Sequence, residues 1–151
     1  RLSDIVRELQ LVAANIFWRE KENDEQYKEI QLFLLKVAQY GKYFVDMFKY
    51  CVNLKTLKHI KNWNIGNGEI FIAMFDRCYS LIDANDLQDW NMSKAKDISY
   101  MFVWCRNLTS IDSLYKWKLN DKVTKTGIIQ GCKELKNIPS AFKGTDFCPL
   151  F

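Results

Sequence analysis

Residues 71–92 read FIAMFDRCYSLIDANDLQDWNM, and residues 98–119 read ISYMFVWCRNLTSIDSLYKWKL. Superposed at an interval of 27, the stretches share Met74 with Met101, Phe75 with Phe102, Cys78 with Cys105, Leu81 with Leu108 and Trp90 with Trp117. The register extends outward to Cys51 and Cys132, to Trp63, and to Leu54 and Leu135. A fixed period in the twenties marks a solenoid, whose units bury their apolar faces only by stacking on neighbours. The expected architecture is an α/β leucine-rich-repeat solenoid with units at 44–70, 71–97, 98–124 and a truncated 125–151. Residues 1–42 do not repeat and are read as an N-terminal helical cap, the whole forming one structural domain.

The cap reads as two helices. In the first, Ile5, Leu9, Val12, Ile16 and Phe17 fall near helical spacing behind Ser3. The second starts near Asn23, with Gln26 three residues on, places Tyr27, Ile30, Phe33, Leu34 and Val37 on one face, and ends at Gly41. Each repeat opens with apolar residues at i, i+3, i+4 and i+7, as in Phe44, Met47, Phe48 and Cys51. That spacing predicts a helix of eight to ten residues, for which Asp97 and Thr124 are candidate N-caps. Apolar residues at every third place follow, as in Leu54, Leu57 and Ile60, and in Leu135, Ile138 and Ala141. They predict a short strand before the turn at each Trp. Phe142, Phe147, Leu150 and Phe151 are expected to cover the C-terminal end.

The four in-register cysteines, spaced for packing, are expected to be reduced and buried, since neighbouring elements stand too far apart for a bridge. Cys148 falls outside the period. The 22 basic and 18 acidic residues leave a net charge of +4, with no run of like charge. Nucleic acid is therefore an unfavoured partner, kept as a weaker alternative because the first, third and fourth units are net basic. No apolar run reaches transmembrane length. His59, the one histidine, has no evident Ser or Cys partner, and the chain reads as no enzyme, with no catalytic residue, cofactor or metal site.

The run Asp89-Trp90-Asn91-Met92-Ser93-Lys94-Ala95-Lys96-Asp97-Ile98-Ser99-Tyr100-Met101-Phe102, with Cys105, Asn107 and Leu108 beyond it, resembles the repeat of the BspA-like leucine-rich-repeat proteins, including mycoplasma-type surface lipoproteins. The resemblance covers 44–141, and Lys118 and Gly131 depart from the pattern. It implies a non-catalytic protein-binding module, adhesin-like and set on a cell surface or secreted. The unpaired thiols and short length allow the alternative of a small intracellular binder or inhibitor of another protein complex, in the cytoplasm.

Side chains flanking the buried residue of each predicted strand should form the partner-binding ladder: Thr56 and Lys58, Asp83 and Asn85, Ser110 and Asp112, Asn137 and Pro139. Tyr115 stands where other units have Lys61, Gln88 and Phe142, and is a candidate anchor. Trp104 likewise breaks its column of Tyr50, Arg77 and Gly131, although contact with a neighbouring unit also explains it. The expected partner is another protein, with the chain monomeric by itself.

Overall fold

The structure, a computed structural model, describes residues 25–145. The first cap helix and Cys148, Phe147, Leu150 and Phe151 lie outside the described residues. Helix α1 runs over Glu25–Ala38. It ends as the amides of Tyr40 and Gly41 bond back to Val37 and Ala38. Gly41 is not in the left-handed region expected of a glycine terminator. Ala38 is fully buried, whereas Leu32, Phe33 and Leu35 are exposed, so Phe33 does not belong to a buried face.

From Tyr43 onward each 27-residue unit makes one coil, and successive coils lie parallel. Phe44, Asp46, Phe48 and Tyr50 donate their amides to the carbonyls of Ile70, Ile72, Met74 and Asp76. Phe71, Ala73, Phe75 and Arg77 do the same to Asp97, Ser99, Met101 and Val103, and Ile98, Tyr100, Phe102 and Trp104 to Thr124, Thr126, Ile128 and Gln130. Every rung joins a residue to the one 26 positions later. The backbone polar groups of one coil are thus satisfied by the next, which is why a coil needs its neighbours.

Those rungs replace the helix predicted at the start of each unit. The segments are runs of tight turns, with amides such as Met74 and Cys78 bonding three residues back to Phe71 and Phe75. The third residue of each such turn sits at positive φ: Ala73 at 56° and Arg77 at 57° in the second coil, Tyr100 and Trp104 at 58° and 59° in the third. Asp46, Tyr50, Gly127 and Gly131 repeat the pattern. Two consecutive four-residue turns return the chain to the same side at i, i+3, i+4 and i+7, so Phe44, Met47 and Phe48 are buried as the spacing required while no α-helix forms. Asp97 and Thr124 are likewise not helix caps. They belong to a column of parallel bridges, Tyr43 to Ile70 to Asp97 to Thr124, and the Asp97 carboxylate accepts the Ser99 amide at 2.9 Å.

The predicted strand segments differ as well. Asn85–Leu87, Asp112–Lys116 and Ser140–Phe142 are 3-10 turns, and the pairing beside them is one bridge, Asp83 to Ser110. Their apolar residues still point inward, including Leu54, Leu57, Ile60, Leu81, Ala84 and Leu87. The exception is Ala141, exposed while Phe142 takes the interior place.

The core is one continuous cluster from Ala38 to Phe142, organised as columns along the stack. Phe44 stacks on Phe71 at 5.1 Å between centroids, Phe48 on Phe75 at 5.4 Å, and Phe75 on Phe102 at 5.5 Å, all with nearly parallel rings. Two polar ladders accompany them. The thiols of Cys78, Cys105 and Cys132 donate to the carbonyls of Phe48, Phe75 and Phe102 at 3.0–3.1 Å. The indole N–H groups of Trp90 and Trp117 donate to Ile60 and Leu87 at 3.1 and 2.7 Å. A buried indole needs such an acceptor, and each finds it in the preceding coil. At the far end the Thr145 carbonyl receives the Gly127 amide, and Phe142 meets Trp117 edge-on at 6.3 Å. The final coil therefore closes early, and Phe142 covers the last indole.

Candidate protein-interaction surface

The predicted ladder residues do lie in adjacent coils, but three of them, Thr56, Asn85 and Ser110, are occupied in holding those coils together. Thr56 is half-buried and its hydroxyl donates to Asp86 at 3.4 Å. Asp83 accepts the Asn85 amide at 3.0 Å and so shapes its own turn. The Asn85 side chain donates to the Ser110 hydroxyl at 2.9 Å and accepts both the Ser113 amide and hydroxyl, at 2.9 and 2.7 Å. These three contacts meet most of what one amide can form. Asn85 and Ser110 are therefore inter-coil connectors. Lys58, Asp112, Tyr115 and Asn137 are the exposed members, with Tyr115 at 69% the most exposed large apolar side chain among the described residues.

A second surface, borne by the turn segments, was missed as a ladder. Its columns are Tyr50, Arg77, Trp104 and Gly131, and, two residues later in each coil, Val52, Tyr79, Arg106 and Lys133. A Cβ on Gly131 would stand 2.4 Å from the Trp104 ring, and one on Gly127 would stand 2.7 Å from the Tyr100 ring. The third coil's large rings thus lean over glycines of the fourth. That pairing accounts for Trp104 and Gly131 in their shared column, and the two glycines four residues apart inside an apparent helix were the available signal.

Electrostatics differ between buried and surface groups. Asp76, nearly buried, is held by Arg77 Nη1 through both carboxylate oxygens at 2.9 and 3.1 Å, with Lys49 Nζ at 3.6 Å. Burial nonetheless outweighs these cations and raises the carboxyl above its ordinary value. The ion pair offsets desolvation without overcoming it. Burial also drives up the thiols, Cys132 to about 12 and Cys78 and Cys105 likewise above the ordinary thiol value. A thiol held neutral is a poor nucleophile and metal ligand. Among the described residues no group of three or more His, Cys, Asp or Glu is placed to hold a metal ion.

Residues 37–142 match the family described as "Mycoplasma protein of unknown function, DUF285". The chain belongs to this family. The DUF285 match begins in the last turn of α1 and ends at Phe142, so it coincides with the continuous core and includes both surfaces. No curated protein and no solved structure matches the chain. Among the described residues no helix is long and apolar enough to cross a membrane.

Proposed function

We propose that this DUF285 chain is a non-catalytic protein-interaction module of the leucine-rich-repeat type, a member of the BspA-like group, acting as an adhesin-like binder. The observation that supports it is the stack of inter-coil rungs, which sets equivalent residues of successive coils side by side on a cross-braced backbone. Such a surface presents many side chains in fixed register and loses little freedom when a partner docks. The thiols, held neutral, suit packing and not nucleophilic chemistry. In this reading Lys58, Asp112 and Asn137 set the register of the partner and Tyr115 anchors it, while Thr56, Asp83, Asn85 and Ser110 hold the ladder rigid.

The test is affinity capture with the wild-type chain beside a triple variant, Lys58→Glu, Asp112→Lys and Tyr115→Ala. All three side chains are exposed, so melting should be unchanged while a saturably bound partner protein is lost. Retention of that partner by the triple variant rejects this face as the binding site.

A further inference from the structure

The turn segments gather positive charge at one place. Arg77, Tyr79, Trp104, Arg106, Gly131 and Lys133 line a cleft of about 310 Å³ across the second, third and fourth coils. Trp104, leaning over Gly131, forms an aromatic floor. The Arg106 guanidinium lies 3.8 Å from the centroid of the Tyr79 ring, a cation–π contact that fixes its position while leaving its donors for other acceptors. Arg77 is committed to the buried Asp76. Among the described residues neither Arg106 nor Lys133 forms an ion pair, and both are exposed. A larger cleft of about 400 Å³ also holds lysines, but there Lys96 pairs with Glu69 and Lys94 donates to Asn67, which leaves Lys122 as its one unpaired lysine among the described residues.

We propose that the cleft around Trp104 docks an acidic segment of a partner protein, its carboxylates meeting Arg106 and Lys133 and an adjacent apolar side chain packing on Trp104. Charge complementarity carries the choice of occupant: two uncommitted cations beside an aromatic floor match carboxylates interleaved with apolar residues. A polynucleotide needs a longer row of cations along its backbone. Here the neighbouring positions are Ser80, Asn107 and Glu134, and the second coil continues into Asp83 and Asp86. This surface lies on a different segment of each coil from the Lys58–Tyr115 face and stands independently of it.

The experiment uses fluorescence anisotropy of a short labelled peptide of glutamates and leucines, beside its glutamine counterpart and a single-stranded oligothymidine of equal charge. The glutamate peptide should bind saturably and the glutamine peptide should not. Arg106→Glu and Lys133→Glu should each weaken binding about tenfold or more, the loss of one charge-assisted contact. Lys143→Glu, at an exposed position outside both surfaces, should leave it unchanged. Both cleft variants alter exposed side chains, and Arg106→Lys supplies a further one that keeps the charge, loses the planar fork and should bind with intermediate affinity. The proposal is overturned if the glutamate peptide shows no saturable binding, if neither reversal weakens it, or if oligothymidine binds as tightly, which would make the cleft a polyanion surface.

Discussion

The inner thiols each combine burial with donation to a carbonyl one coil away, and both effects favour the protonated form. For Cys132, raised from 9.0 to about 12, the thiolate fraction near pH 8 falls roughly a thousandfold. Alkylation by iodoacetamide at that pH should therefore be slow for Cys78, Cys105 and Cys132 in the native protein and fast in denaturant. Because the folded value lies above the unfolded one, this contribution to stability is fully present below about pH 9 and is lost as pH rises through about 12. A pH–melting profile should fall over that window and fall less in Cys132→Ser. Native labelling as rapid as in denaturant contradicts the thiol ladder. Asp76 has the same sign from the same cause. Its carboxyl is raised by burial, so protonating it in acid does not weaken the fold, and its role is to place Arg77.

At the level of the element, the turn segment depends on residues held at positive φ. Each non-glycine residue there costs on the order of 1–2 kcal/mol relative to a right-handed conformation, and inter-coil rungs offset that cost. Asp46→Gly, at φ 59°, should therefore be neutral or stabilising by up to about 1 kcal/mol, the relief of strain being partly cancelled by the freer unfolded chain. Gly127→Ala should destabilise by about 2 kcal/mol or more, because strain at φ 62° adds to collision with the Tyr100 ring. Thermal or urea unfolding of the two variants measures both. Equal stability of Gly127→Ala and wild type would show that the backbone there is not left-handed. The same geometry explains why apolar spacing misreads this element as a helix: two four-residue turns repeat the inward positions of one helical face, and only the backbone conformation separates them.

Across the molecule, one core cluster spans every described coil, so the loss of a central side chain is felt at both interfaces. Trp90 is buried in the second coil, tilts against Phe71 of that coil and donates to Ile60 of the first. Trp90→Ala should cost roughly 3–5 kcal/mol, lowering the melting temperature by on the order of 10 °C in a single cooperative transition. A near-wild-type melting temperature would show that the indole contributes nothing to packing, and two separated transitions would show that the coils unfold independently.

The 27-residue interval by itself determined which residues become neighbours, because parallel stacking converts equal spacing in the chain into columns in space. Phe44 with Phe71, Cys78 with Cys105 and Trp90 with Trp117 are aligned by counting alone, and the inward places follow from their apolar character. Tertiary structure decided the path of the backbone between those places. Hydrogen bonds to the next coil compete with those a helix would make to itself, and nothing local in Asp46, Ala73 or Tyr100 announces a left-handed residue. It decided the surface too. Whether Asn85 faces a partner or ties Ser110 to Ser113, and whether Trp104 is an exposed anchor or a ring laid over Gly131, depends on what the adjacent coil presents at a few ångströms, a relation between units that a single repeat does not contain.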